Sequence, residues 1–368
     1  MEIGSVIELA EWETYQYIEN EKKFYLPFMG LERESYNNIF YQSGRNAIEA
    51  LMICIREKYG IQKILLPDYV CETVSDAVVR ADMGYELYSV NDNFEIELYE
   101  IEKGVQDGIR CLYIVQYFGN KFSDQTVEAI AAWRRKGVVV VEDITMSIFS
   151  SDSMGIGIGD YILGSIRKWL PIPDGAFLSS KEGVLPKQMT CSYVSKYTDY
   201  YRLVQTMKRM YVQGGFSDKK LKENYLTYYR KSIDELFSDY RIYPMSEFSM
   251  NYIKNYDMNK IVTKRIYNFD YLYDKIKGME QIQVKVKREA DYVPLGMVIE
   301  CNDRDKLLRY LIEKNIYCNV HWRLKVSPQN PNMEKLSTHI MTIPCDQRYG
   351  TAELDYIADT IEQWIKEA

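Results

Sequence analysis

From about residue 45 to 180, stretches with apolar residues at helical spacing alternate with short unbroken apolar runs. GRNAIEALMICIREKYG (44–60) turns one apolar face and closes on a glycine, and IQKILLP (61–67) then reads as a short buried strand. DYVCETVSDAVVRADMG (68–84) predicts another helix ending at a glycine, with YELYSV (85–90) as the strand after it. CLYIVQYFG (111–119) is a strand running into a turn, DQTVEAIAAWRRKG (124–137) a helix, and VVVVED (138–143) a buried strand. Such alternation predicts an α/β fold, a mostly parallel sheet with helices on both faces. Ligands of such sheets lie beyond the carboxyl ends of the strands, so the polar residues just past each strand are the first candidates for chemistry.

The pattern then changes. Residues 188–280 read as mainly helical and are rich in Tyr, Lys and Met. The last hundred residues return to mixed signals, with QIQVKVK, LGMVIEC and IYCNVHW as strands and RDKLLRYLIEKN as a helix. TAELDYIADTIEQWIKEA makes an amphipathic closing helix with Thr351 as its N-cap. This organisation predicts an N-terminal arm and large domain over 1–245 and a smaller C-terminal α/β domain over 246–368.

Composition narrows the function. The 368 residues are 46% hydrophobic, which excludes a disordered chain. A net charge of -7 argues against nucleic acid as a partner. No apolar stretch approaches the ~20 residues of a spanning helix, and the acidic opening MEIGSVIELAEWE lacks the layout of a signal peptide. The seven scattered cysteines never form CxxC, as expected of a thiol-reduced cytoplasmic protein. The only histidines, His321 and His339, lack metal-ligand spacing, which argues against zinc. Gly155, Gly157 and Gly159 imitate a dinucleotide loop, but a strand-like YILGS follows where that loop needs a helix. Two surfaces remain as candidates for ligand contact or plain packing. One is the basic run containing Lys208, Arg209, Lys219, Lys220, Lys222, Arg230 and Lys231; the other is the stripe of Tyr193, Tyr197, Tyr200 and Tyr201.

Three constellations carry potential chemistry. Ser43-Gly44-Arg45-Asn46 is a small polar turn opening a helix, whose unpaired N–H groups and positive dipole end suit a phosphate. Taken alone, Ser43 is equally an ordinary N-cap. Asp143 ends VVVVED, where a carboxylate needs a metal, an ion-pair partner or a cationic ring to offset its desolvation. Ser165-Ile166-Arg167-Lys168 places a lysine at the end of an apolar segment. Burial or neighbouring cations would lower its pKa and free the amine for Schiff-base chemistry; the alternative is a surface lysine. Together and in this order, the three supply what is needed to hold pyridoxal phosphate (PLP).

Here the sequence resembles a known family, the DegT/DnrJ/EryC1/StrS nucleotide-sugar aminotransferases of the fold-type I PLP group. The matching pieces run in order: SGRNA (43–47), KILLPDYVCETV (63–74), YIVQYFGN (113–120), VVVVEDITMS (138–147), GDYILGSIRKWLPIPDGAF (159–177), PMSEF (244–248), KNIYCNVHW (314–322) and IPCDQRYG (343–350). The resemblance implies an aspartate aminotransferase-like fold, a large domain with a mostly parallel sheet between helices plus a smaller C-terminal α/β domain. It implies that Lys168 forms the internal aldimine and shuttles protons, and that Asp143 pairs with the pyridine nitrogen. Ser43, Gly44, Arg45 and Ser165 would lie around the phosphate. His321, with Trp322 and Arg348, would face the substrate from the small domain. The implied reaction moves an amino group, from glutamate as donor, to a keto sugar of a nucleoside-diphosphate sugar, in a homodimer with sites at the subunit interface.

The sequence also departs from the family pattern. Met146 stands where a histidine or glutamine is usual three residues after the aspartate. The ring-stacking position falls on Cys71, which leaves Tyr69 or Tyr117 as the aromatic substitutes. Ser165 is three residues before Lys168 rather than five, and Ile242-Tyr243-Pro244 replaces an Asn-Tyr-Arg signature. These departures keep open a catalytically idle PLP-binding protein. A PLP-dependent sugar dehydratase is the other alternative, and Lys168 speaks against it, because dehydratases of this family typically carry histidine there.

Overall fold

The computed structural model describes residues 1–9, 37–150, 157–187, 195–286, 289, 292–323 and 330–367. Gly155 and Tyr193, named above, lie outside these residues. A seven-stranded sheet forms the large domain, from β2 (Asn37–Tyr41), β3 (Lys63–Pro67), β4 (Gly84–Tyr88), β5 (Cys111–Val115), β6 (Val139–Asp143), β7 (Tyr161–Gly164) and β8 (Ala176–Ser180). Their spatial order is β2-β8-β7-β6-β5-β3-β4. From β7 to β4 every pairing is parallel, whereas β8 runs antiparallel to both β7 and β2. Every residue of β5, β7 and β8 is buried, as a sheet covered on both faces requires.

The crossover helices are α1 (Gly44–Tyr59), α2 (Glu72–Arg80), α3 (Leu98–Gln106) and α4 (Asp124–Arg135). Gly60 ends α1 at φ +66, the left-handed conformation glycine adopts without penalty. Helix α2 begins at Glu72, later than DYVC suggests, with Cys71 in the cap position. Helix α3, not among the helices expected above, buries Ile101, Gly104 and Val105 on one face. That glycine is there for packing: a Cβ on it would meet Leu65 of β3 at 2.9 Å. The chain leaves β3 outward to β4 and returns to β5 on the other side, which puts the topological switch point beside Cys71 and Asp143.

Helices α5 (Lys196–Gln213) and α6 (Lys219–Ser238) pack on each other through Val204, Tyr211 and Tyr225. After α7 (Glu247–Asn255), α8 (Met258–Ile276) leads into a three-stranded antiparallel sheet, β12 (Ile340–Ile343), β10 (Met297–Glu300) and β9 (Gln283–Val284). Helices α9 (Arg304–Glu313), α10 (Pro331–His339) and α11 (Thr351–Glu367) complete this part, and its core joins Leu272, Ile299, Leu311, Ile343 and Ile361. Thr351 is the first helical residue of α11 rather than its cap. Gly350 precedes it, donating its N–H to Glu353 Oε2 at 2.9 Å. IYCNVHW supplies only a two-residue strand, β11 (Ile316–Tyr317), which pairs in parallel with β1 (Ile3–Gly4).

That pairing fixes residues 2–9 between α5, α6 and the small sheet. The Glu2 carboxylate is buried against Lys208 and Lys222, the latter at 2.8 Å, and accepts from Tyr225 at 3.2 Å. Burial alone would raise the Glu2 carboxyl pKa, but the two lysines hold it below its ordinary value. Lys208 and Lys222 are therefore committed to Glu2 and drop out of the basic run as contacts for a nucleotide. Gly4 sits at φ +85 with Tyr317 O where a Cβ would be. Its N–H donates to Tyr349 Oη at 2.7 Å.

Candidate active site

The strand ends converge on one cavity, lined by Cys71 after β3, Val115 of β5, Asp143 of β6, Ser165 after β7, and Ser43, Gly44 and Arg45 at the start of α1. Ser43 is extended (φ -148, ψ 159), and its Oγ accepts from Asn46 N at 3.3 Å, so it does cap α1. The Gly44 and Arg45 N–H groups precede the first intrahelical bond and face the cavity end of the dipole. A Cβ on Gly44 would stand 3.6 Å from Ser165 Cβ, so the helix start and the β7 turn nearly touch. Burial, and next Arg80, lower the pKa of the Arg45 guanidinium.

Asp143 is held from two sides. Its Oδ2 accepts from Tyr113 Oη and its Oδ1 from Thr145 N, both at 2.8 Å. Thr145, which the sequence alone did not single out, ties the site together. Its Oγ1 accepts from Ser165 N at 3.1 Å and its carbonyl from Trp169 Nε1 at 2.7 Å. Lys168 ends a single 3-10 turn (Ile166–Lys168) and opens onto the cavity. Lys168 is exposed where it faces the cavity, yet the protein packed around it lowers its pKa, against the pull of Cys71 and Asp143, and Arg167 lowers it further.

The aromatic substitutes for ring stacking are elsewhere. Tyr69 and Tyr117 are fully buried behind the cavity, with ring centroids 5.8 Å apart and Tyr117 Oη donating to Tyr69 O. Neither lines the cavity. Cys71 does, its Sγ 3.0 Å from Thr73 Oγ1, and so do Met146 and Trp322, the latter brought in from the small domain with its ring 5.2 Å from Tyr69.

A second cavity, of about 510 Å³, opens on the other side of Lys168. Residues 4–7, Tyr201 and Tyr229 of the α5–α6 pair, and Asn319, His321, Thr342 and Arg348 of the small domain wall it. His321 Nδ1 is 3.0 Å from Thr342 Oγ1. Burial, with Lys168 nearby, pushes its imidazole down to about 3, so it is neutral at working pH. Arg348 borders this cavity, but its donors are engaged. It grips Asp346 through Nε at 2.7 Å and Nη2 at 2.8 Å, and its Nη1 donates to Gly4 O and Val6 O. Its expected role as a substrate contact is therefore corrected to that of a staple for residues 4–6. The tyrosine stripe divides. Tyr197 is buried with its Oη on Pro173 O at 2.9 Å, while Tyr201 reaches the cavity. The glycines that imitate a dinucleotide loop wrap a glutamate instead: Gly157 N and Gly159 N donate to the buried Glu142 carboxylate at 3.1 and 2.9 Å. Burial raises that carboxyl to about 7.

No family model and no curated protein matches the chain. Solved structures do. An aminotransferase described as DegT DnrJ EryC1 StrS, from Brucella abortus, is 16% identical with a TM-score of 0.59, over 89% of this chain and 86% of that one. NtdA from Bacillus subtilis, with bound cofactor PMP, is 15% identical with a TM-score of 0.61, over 89% and 73%. The sugar aminotransferase CalS13 from Micromonospora echinospora is 14% identical with a TM-score of 0.57, over 89% and 87%. These likenesses are of fold. The chain shares the fold of these structures, the aspartate aminotransferase-like arrangement of PLP fold type I.

Proposed function

We propose that the protein is a PLP-dependent aminotransferase that moves an amino group from glutamate to the ketone of a nucleoside-diphosphate sugar. One observation carries the reading. A lysine with lowered pKa, a doubly anchored carboxylate and an open helix start border the same cavity at the carboxyl ends of the strands. The donor set fits the cofactor group by group: N–H groups and dipole for a phosphate, Asp143 for a ring nitrogen, and Lys168 for a carbonyl. The fold likeness to NtdA with bound cofactor PMP and to a sugar aminotransferase supports both cofactor and substrate class.

When bound, PLP supplies a carbonyl that condenses with amines and a ring that accepts electrons from the adjacent carbon. The chain's residues do the rest. Asp143, oriented by Tyr113 and Thr145, would hold the ring nitrogen of the cofactor and keep it protonated. Lys168 Nζ, its charged form disfavoured by the surrounding protein, would take the proton from the donor's α-carbon and return it to the former carbonyl carbon of the cofactor, two bonds away across the nitrogen. The Gly44 and Arg45 N–H groups would hold the phosphate end, and Met146 and Trp322 line the same cavity.

Borohydride reduction of the PLP-treated protein is expected to label a Lys168 peptide, and glutamate to bleach the visible absorbance. A panel of nucleotide-linked keto sugars, read by mass spectrometry, then identifies the acceptor. Labelling without bleaching would leave a non-catalytic PLP-binding protein, and a colourless protein would refute the cofactor.

A further inference from the structure

Arg167 and Lys168 are the two residues that border both cavities. Lys168 has its role; Arg167 has none in the reading above. Its backbone is fixed by a hydrogen bond from Arg167 N to Gly175 O at 3.1 Å. Its guanidinium lies over the Tyr197 ring, 5.9 Å from the centroid. Among the described residues that guanidinium makes no hydrogen bond or ion pair, and its Nε is buried without a partner. A buried donor left in this state costs free energy that a ligand can recover.

The surroundings point to an anion. The nearby carboxylate, Asp174, already accepts from Ser246 N at 2.8 Å, Ser246 Oγ at 2.6 Å and Ser249 Oγ. The other guanidinium groups on the larger cavity are committed: Arg265 to Pro294 O and Leu295 O at 3.1 and 2.8 Å, and Arg348 to Asp346. Arg167 is thus the uncommitted guanidinium of that wall among the described residues, flanked by Tyr201 and Tyr229.

We propose that Arg167 anchors the α-carboxylate of the amino donor in the 510 Å³ cavity, against Tyr201 and Tyr229. This rests on the aminotransferase reading and names the substrate group that the cavity beside Lys168 receives. The donor's carboxylate and amine share one carbon, so its anchor stands beside the residue that handles that carbon's proton. A cation bordering both cavities meets this condition. A planar guanidinium pairs with a carboxylate through two parallel hydrogen bonds, and one uncommitted cation matches one negative charge better than a diphosphate.

The test compares wild type, Arg167→Lys and Arg167→Met. It reads the KM for glutamate, the affinity for PLP, inhibition by UDP and by dTDP, and calorimetric binding of glutarate, an unreactive dicarboxylate. Arg167→Met is expected to raise the glutamate KM roughly 10- to 100-fold and to abolish glutarate binding, with PLP affinity and nucleotide inhibition unchanged. Arg167→Lys, which keeps the charge and the fold but loses the fork, is expected to fall between. An unchanged glutamate KM in both variants overturns the proposal. So does a loss confined to PLP affinity, which would assign Arg167 to the cofactor phosphate, or one confined to nucleotide inhibition, which would assign it to the sugar nucleotide. If wild type takes up no PLP, the aminotransferase reading fails, and the glutarate titration still decides whether Arg167 binds a carboxylate.

Discussion

The two cavities that meet at Lys168 are made in different ways. The cavity at the strand ends takes many of its groups from those ends and the residues that follow them, with Trp322 added from the small domain. Ser165 follows β7, Asp143 ends β6, and Cys71 comes four residues after β3. The larger cavity has no such local origin. Its walls come from residues 4–7, from the α5–α6 pair and from the small domain, and they meet only through tertiary packing. A sheet thus presents polar groups at positions a linear pattern can mark, while the walls of the larger cavity come from parts far apart in the chain.

The sharpest way to separate the cavities is Lys168→Ala. It is expected to remove the borohydride label and to slow the glutamate half-reaction by roughly 10²- to 10⁴-fold, with glutarate binding in the second cavity retained. Glu2→Ala acts on the other side. It leaves the Lys208 ammonium buried without its carboxylate and is expected to cost about 3–5 kcal/mol of stability, read by denaturant unfolding. PLP uptake by the folded fraction should persist. Asp143→Asn is expected to lower turnover roughly 10²-fold beyond any loss of cofactor affinity, measured at saturating PLP.

Two pH effects are smaller. Because the folded Glu2 pKa is depressed, its contribution is complete at neutral pH. It is lost as pH falls below the ordinary carboxyl value of about 4.3 and through the lower folded one, so acid unfolding should be displaced in Glu2→Gln. The His321 imidazole, pushed down to about 3, stays neutral in the fold while the unfolded chain takes up its proton below about pH 6.5. Acidification through that range therefore costs stability, and His321→Gln should reduce the slope. The pH–rate profile above pH 5 should keep its shape in that variant, since the ring does not titrate there.

The same contrast explains what the sequence disclosed. Asp143, Ser165 and Lys168 stood out because they follow apolar runs, which mark strand ends that share one edge of a parallel sheet, and Ser43 because a small polar turn opens the helix pattern after it. Tyr69 and Tyr117 follow β3 and β5 just as closely, but both rings turn inward against Phe94, and no periodicity announces that. Trp322, which does reach the cavity, comes from the small domain and depends on how that domain docks. Arg348 looked available because its grip on Asp346, two residues away, leaves no mark on the apolar pattern. Arg167 was visible as a residue beside a lysine, yet its lack of a partner is a property of the packed interior. Thr145 joins three elements by two hydrogen bonds that involve residues 20 and 24 positions away, which nothing local predicts.

The seating of Gly4 on Tyr349 spans 345 positions of chain. During synthesis, residues 4–6 lack their last partners until Arg348 and Tyr349 have been made, so the larger cavity is among the last features of the molecule to be completed. The nascent large domain can complete its sheet and present Lys168 well before that wall exists. The cavity at the strand ends can therefore take shape before the larger one has all of its walls.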